Sequence, residues 1–278
     1  MTSPKQLLDA HDIQPKKSLG QNFIHDPNTL EKIVASAELS GSETVIEIGP
    51  GTGAMTAILA RQAEQVVAVE IDTRLEPLLT AAVAGLDNVR VVFADVLGQP
   101  LPQVAATDSY VVVANIPYYI SSRILSHALE SEPPPGRMIL TVQYELAERI
   151  IARPGDMNLL AVSVQFFGSP HIVARIKPSV FWPRPDVDSA ILRIDTHTES
   201  PLSVPVPDRR AFFRVARAGF SQKRKQLKNA LGGGLAIKAA QAGELLDAAG
   251  IDPKRRAETL SLDEWAKLTH TLTQAGVV

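Results

Sequence analysis

An α/β fold is expected: a seven-stranded Rossmann-like sheet with helices on both faces, followed by a small all-α C-terminal domain. Two observations predict it. From Thr44 onward, short β-branched runs alternate with longer helix-periodic stretches, which signals βαβ units and a mainly parallel sheet. Past Asp208 only helical patterns remain, after a stretch rich in Pro, Ser and Thr.

The first strand, Thr44–Ile48, runs through Gly49-Pro50-Gly51-Thr52-Gly53 into a helix over Ala54–Gln62, with Thr52 at its start. Gln65–Glu70 and Val89–Ala94 are the second and third strands. Tyr110–Ala114 is apolar throughout, as in a strand covered on both faces. Ser121 or Ser122 caps a helix over Arg123–Leu129, and Pro133-Pro134-Pro135-Gly136 ends it before the fifth strand, Arg137–Val142. His171–Ile176 and Ala190–Ile194 follow without a long crossover helix, which suits an antiparallel hairpin at one edge. Thr196–Asp208 reads as a linker, so residues 1–200 and 201–278 are expected to be separate domains. Helices are expected over Arg209–Ala218, Arg224–Leu231, Ala239–Ala249 and Leu262–Thr273, with Gly232-Gly233-Gly234 as a separator.

Composition narrows the function classes. The chain is 45% hydrophobic and 21% charged, ordinary for a globular protein of 278 residues. It has no cysteine, which excludes disulfides and thiolate metal sites, and its six histidines form no metal-like cluster, so no metal is expected. Met1 to Gln14 is polar, and no apolar run reaches the ~18 residues of a membrane span. A cytoplasmic protein without membrane contact is therefore expected. Charge is unevenly spread. Residues 1–200 hold 15 Lys/Arg against 23 Asp/Glu, whereas residues 201–278 hold 13 against 7. Eight cations and no acid lie between Arg209 and Lys228 (Arg209, Arg210, Arg214, Arg217, Lys223, Arg224, Lys225, Lys228), which points to a polyanion partner rather than a merely solvated helix face.

The strand ends carry the candidate chemistry. Glu47-Ile48-Gly49-Pro50-Gly51-Thr52-Gly53 opens a helix, and its glycines allow close backbone approach to a ligand. A dinucleotide is one reading. Against it, the spacing is not G-x-G-x-x-G, Pro50 removes a donor that a pyrophosphate needs, and Glu47 repels phosphate. A cofactor with a cationic amino-acid head, S-adenosylmethionine, fits better. Glu70, 21 positions past Gly49, can accept from both ribose hydroxyls, or be a solvated strand-end carboxylate. Asp95 can accept from the adenine amine, or simply cap a helix. Asn115-Ile116-Pro117-Tyr118 ends the apolar fourth strand. It is either a packed strand-end turn or a clamp for an amine-bearing ring, with an amide oxygen and a backbone carbonyl as acceptors and an aromatic face for stacking.

Together these motifs resemble the ribosomal RNA adenine N6-dimethyltransferases, most closely the bacterial small-subunit (16S rRNA) enzymes. The resemblance runs from about Pro15 to Leu268. Besides the motifs above, it rests on Lys17–Ile24, Val69–Asp72, Gln143–Ile150, Phe181–Ser189, Phe220–Leu227 and Arg256–Ser261. It implies an S-adenosylmethionine-dependent enzyme that dimethylates two adjacent adenines near the 3′ end of 16S rRNA and serves small-subunit biogenesis as a monomer. Asn22, Ile24, Gly49, Gly51, Glu70, Asp95 and Asn115 would then contact the cofactor. Asn115, Tyr118 and Phe181 would be catalytic, the two rings facing the target base from opposite sides. Arg217, Lys223, Arg224, Lys225 and Lys228, with the Lys254-Arg255-Arg256 cluster, would bind RNA phosphates. Three positions depart from the pattern: Tyr144 follows Gln143, Arg153–Leu160 lacks the usual Tyr-Gly, and Lys223 stands where Arg is commoner. The rival readings are a ribosome-assembly factor with little dependence on catalysis, a 23S rRNA methyltransferase, or a DNA adenine or protein glutamine methyltransferase.

Overall fold

β-branched residues crowd a helix but pack well on a pleated surface, and the Val- and Ile-rich runs of this chain become the strands of one sheet. The computed structural model describes residues 3–206 and 208–278. Met1 and Thr2 of the polar N-terminus and Pro207 of the expected linker lie outside the described residues. The strands are β1 (Phe23–Ile24), β2 (Thr44–Ile48), β3 (Gln65–Glu70), β4 (Val89–Phe93), β5 (Tyr110–Asn115), β6 (Arg137–Gln143), β7 (Gly168–Ile176), β8 (Phe181–Trp182) and β9 (Ser189–Thr196). Seven form one sheet in the order β4-β3-β2-β5-β6-β9-β7. β2 pairs in parallel with both β3 and β5, and its Val45 and Ile46 are fully buried, as are Val112 and Val113 of β5. Helices including Pro27–Ala35, Ala54–Leu59 and Ser121–Leu129 connect the strands.

The chain winds outward from β2 through β3 to β4, then returns to β5 on the other side of β2. That reversal leaves a crevice beyond the carboxyl ends of β2 and β5, where open α/β sheets bind ligands. The last two large strands are neighbours at one edge of the sheet, as expected, with β9 on the inner side. It pairs antiparallel with β6 over seven residues, from Arg137↔Asp195 to Gln143↔Ser189, and β7 is outermost. A second, two-stranded sheet sets Phe23 against Trp182 and Ile24 against Phe181, with His25 N–H donating to the Val180 carbonyl at 2.9 Å. It brings residues about 158 positions apart to one end of the large sheet.

The chain divides into two compact units, but not at residue 200. The first reaches Ala147 and takes in Ser169–Thr196. The second is Glu148–Gly168 with His197–Val278. The reason is apolar: on the helix Leu159–Phe167, Ala161 and Val162 share a buried cluster with Phe212, Val215, Leu231 and Trp265, and Phe166 meets Phe212 at 4.6 Å between ring centroids. Within this unit Asp208 caps the helix Arg209–Phe220, and Ser261 and Glu264 form a capping box for Leu262–Gln274. The triple glycine is not a separator. It closes the helix Leu227–Gly234, where a Cβ on Gly234 would lie 2.6 Å from the Cα of Ala218. Residues 221–226 form a turn instead, closed by Lys225 N–H donating to the Gln222 carbonyl. Two expected helix starts also move. Gly53, not Thr52, caps Ala54–Leu59, and Ser121–Leu129 begins after Ile120 without a side-chain cap.

Candidate active site

The carboxyl ends of β2, β3 and β5, the segment around β1 and the first residue of β8 line one cleft in the first unit. Counting its open mouth it encloses about 1130 Å³, and it gathers Asn22, Ile24, Gly49, Gly51, Glu70, Asp95, Asn115, Tyr118 and Phe181. Its floor is the Gly49–Gly53 turn. Gly51 has φ +60° and a Cβ there would meet the Phe23 ring at 2.9 Å. Gly53 has φ +78° and its Cβ would press on Ala82 at 2.5 Å. Any other residue at either position would be strained in its backbone; at Gly51 it would also press on the Phe23 ring that lines the cleft, and at Gly53 on Ala82 behind it.

Three acids surround this turn in different states. Glu47 on β2 is completely buried, and neither of its carboxyl oxygens has a hydrogen-bond partner. Burial pushes its carboxyl up to about 8. The Thr56 hydroxyl, close by without reaching hydrogen-bond geometry, pulls it back slightly, and Glu70 adds to the rise. Glu70, at the end of β3, is also raised by burial, but it accepts from Gly51 N–H at 3.2 Å and Asp72 N–H at 2.9 Å, which oppose the rise. Asp72 behaves oppositely. Arg74, donating through Nε at 2.8 Å and Nη2 at 2.6 Å, holds it down to about 2, and Gln21 assists.

Gln21 also ties the N-terminal segment to the sheet. Its Nε2 donates to Asp72 at 2.9 Å and its Oε1 accepts from Lys16 N–H at 2.8 Å. Asn22 is thereby held over the cleft, where its carbonyl accepts from Asn115 Nδ2 at 2.8 Å. This bond sets the orientation of the Asn115 amide, because only its nitrogen can donate. Oδ1 is left without a hydrogen bond among the described residues. The backbone next to it is selective too. Ile116 N–H donates to Thr141 at 3.2 Å, and the Pro117 carbonyl accepts from Ile120 N–H and the Ser121 hydroxyl. The Ile116 carbonyl accepts nothing among the described residues. Two uncommitted acceptors thus belong to consecutive cleft-lining residues at the end of β5.

Aromatic groups complete the walls. The Tyr118 hydroxyl shares a 2.7 Å hydrogen bond with Ser189 Oγ, which fixes its ring, and burial raises its pKa. Phe181 lines the cleft but is only 3% exposed. Most of its ring packs in the core with Ile24, Leu30 and Ile33. Asp95 is exposed at the rim and accepts from Leu97 N–H at 3.0 Å, so it caps a turn while lining the cleft. Sequence reasoning singled out neither Tyr119, which is 64% exposed at the rim, nor the roles of Gln21 and Ser189. Tyr119 stood next to the Asn115 turn, but one aromatic in a sequence carries no sign of exposure.

In the second unit, Arg217, Lys223, Arg224 and Lys225 are exposed and Lys228 is half-buried. Among the described residues none of them forms an ion pair. Leu227 N–H donates to the Arg255 carbonyl at 2.7 Å, which brings the 223–228 and 254–256 basic segments together. Arg255 itself does not face outward as a free cation. Its guanidinium pairs with Glu264 and donates to the Thr259 carbonyl. Arg256 lies 3.8 Å from Glu258. No group of three or more His, Asp or Glu among the described residues is arranged to hold a metal ion, and no described helix is long and apolar enough to cross a membrane.

Known proteins share this architecture along nearly the whole chain. A family model described as ribosomal RNA adenine dimethylase matches residues 13–274. A protein of Dehalococcoides mccartyi named ribosomal RNA small subunit methyltransferase A is 43% identical over 96% of this chain and 92% of its own length. A Moorella thermoacetica protein of the same name is 44% identical over 96% of this chain and 95% of its own. Among solved structures, a dimethyladenosine transferase from Plasmodium falciparum superposes with a TM-score of 0.80 at 26% identity, covering 91% of this chain and 98% of that one. The 23S rRNA methyltransferase ErmE gives 0.71 at 29% identity, over 91% and 100%. With the seven-stranded sheet, the glycine turn and the paired acceptors at Asn115 and Ile116, these matches place the chain in the ribosomal RNA adenine dimethylase family.

Proposed function

We propose that this enzyme dimethylates the N6 amines of two adjacent adenines near the 3′ end of 16S rRNA, using S-adenosylmethionine, during small-subunit assembly in the cytoplasm. One observation carries the reading of the target: Asn115 Oδ1 and the Ile116 carbonyl are uncommitted acceptors on consecutive residues, matched to the two hydrogens of an adenine amine. The choice of the small subunit rests on the relatives at 43–44% identity that bear its name, against 29% for the 23S enzyme.

The cleft suits the proposed cofactor. Glu70 keeps lone pairs beyond those taken by Gly51 and Asp72, enough for ribose hydroxyls. Asp95 has an oxygen free of its cap for an adenine amine. The buried, unpartnered Glu47 keeps both carboxyl oxygens for a cationic head group, whose charge would favour its ionised form. Gly49 and Gly51 leave the floor bare, and Asn22 and Ile24 close it from above the turn. When bound, S-adenosylmethionine supplies an electrophilic methyl group on a sulfonium sulfur.

The chain's own residues then do two things. The adenine amine is a weak nucleophile because its lone pair is delocalised into the ring. Accepting both hydrogens at Asn115 and Ile116 favours a pyramidal nitrogen with a directed lone pair. Tyr118, locked by Ser189, offers a π-face to the base and to the positive charge that develops on nitrogen, and Phe181 offers the opposing edge. The aminium product is acidic and loses its proton to water, so no general base is required. Positioning of this kind can supply about 7–11 kcal/mol. The exposed cations from Arg217 to Lys228 bind RNA phosphates. The test is methyl transfer from labelled S-adenosylmethionine to small subunits lacking the modification, mapped by nucleotide. Two dimethyladenosines near the 16S 3′ end are expected, and their absence would refute the proposal.

A further inference from the structure

Resting on the proposed function, we infer that Tyr119 is a stacking platform for the nucleotide next to the target adenine, with Lys17 beside it to take that nucleotide's phosphate. Large apolar side chains are mostly hidden in this fold, and Tyr119 is the most exposed of the exceptions among the described residues, at 64%. It follows Tyr118 directly in the turn Tyr118–Ile120, so its ring stands at the rim of the same cleft that Tyr118 lines. Its neighbour is bound by the Ser189 hydroxyl, but no hydrogen bond engages the Tyr119 hydroxyl among the described residues. Nothing polar in the fold accounts for its position.

Room has been made for it. Gly20 stands in the left-handed region at φ +57°, and a Cβ there would lie 3.3 Å from two carbons along one edge of the Tyr119 ring and 3.1 Å from Pro117. The ring edge therefore rests on bare backbone while a face stays open to solvent. The same turn, Lys17–Leu19, places an exposed lysine three residues before Gly20, whose N–H donates to the Lys17 carbonyl at 3.0 Å. Lys16 leans on Asp72 at 3.9 Å, whereas Lys17 has no ion-pair partner among the described residues. An open aromatic face with an unpaired cation on the segment that carries its edge is a combination suited to single-stranded nucleic acid, because every base has a π-face and every nucleotide a phosphate. A base extruded into the cleft leaves its neighbour unstacked at the rim, and Tyr119 replaces the lost stacking.

The experiment uses the full-length enzyme, an RNA fragment carrying the target adenines, and matched fragments abasic at the 5′ or 3′ flanking position. Tyr119→Ala should lower kcat/KM for the RNA by about 5- to 100-fold through KM, with cofactor affinity unchanged. Tyr119→Phe and Tyr119→Trp should retain activity, since the ring and not the hydroxyl acts. One abasic flank should cost the wild type a similar factor and cost Tyr119→Ala no more. Lys17→Gln should weaken RNA binding and flatten its salt dependence. Equal activity of Tyr119→Ala and wild type, or a flank effect that multiplies with Tyr119→Ala, would overturn the inference while leaving the proposed function standing. A wild-type enzyme that methylates no RNA would refute both.

Discussion

Charge is used in opposite ways in the two units. In the cleft, Glu47 and Glu70 are buried, at 0% and 5% exposure, and both carboxyls are pushed up from their ordinary range. In the helical unit, Arg217, Lys223, Arg224 and Lys225 stand exposed and unpaired among the described residues. A buried carboxyl is pushed toward its protonated form by the low dielectric around it, is barely screened by salt, and reports pH. An exposed cation acts over about a Debye length, is screened by salt, and ignores pH near neutrality. One kind suits a small ligand held at fixed points. The other suits a polyanion gathered from solution.

The contrast can be broken first at Glu47. Its folded pKa of about 8 lies above the ordinary value of 4.5, so the folded state holds the proton more tightly. That contribution to stability is fully present below about pH 4.5 and is lost as pH rises through 8. Asp72 works the other way: its stability is present above the ordinary carboxylate range and is lost as pH falls toward about 2. Glu47→Gln should therefore unfold with a much flatter pH dependence between pH 5 and 8. The gain at pH 8 would be on the order of several kcal/mol, read from denaturant midpoints. A variant with the wild-type slope would show that Glu47 is ionised in the fold.

Glu70→Gln comes next. It replaces a carboxylate that accepts from two backbone amides, so a cofactor-affinity loss of about 1.5–3 kcal/mol is expected by calorimetry, insensitive to salt. A loss that vanished in high salt would move Glu70 to the exposed class. Neutralising Arg224 and Lys225 together should lower the slope of log affinity against log salt by roughly 1.4 for a single-stranded RNA, with cofactor binding unchanged. A wild-type slope in the double variant would remove the basic strip from RNA binding. The smallest effect belongs to Ser189→Ala, which frees the Tyr118 hydroxyl and should slow methyl transfer only several-fold, about 0.5–1.5 kcal/mol.

Much of this was legible in the chain because it is local. The parallel strands announce themselves by β-branched runs, and the glycine turn and the Asn115 turn follow directly from strand ends. What was not legible depends on partners distant in sequence. β1 and β8 have two residues each, too few for any periodicity, yet their pairing brings Phe181 to Ile24 and builds the roof of the cleft. The helix Leu159–Phe167 is apolar nearly throughout, so its pattern does not tell which core it serves. Arg255 reads as one more cation until Glu264 is found against it, and Gly232–Gly234 reads as a break until Ala218 is found pressing on Gly234. Composition announces a charge, but only packing decides whether it is spent.

The central claim is that Asn115 and Ile116 accept the hydrogens of the target amine. Single-turnover methyl transfer by Asn115→Ala, at saturating RNA and S-adenosylmethionine, tests it most directly. The rate should fall by about 10²–10³, as when one preorganised transition-state hydrogen bond is removed, while RNA affinity stays near the wild-type value. A rate equal to that of the wild type would contradict the assignment of the Asn115 turn as the amine clamp.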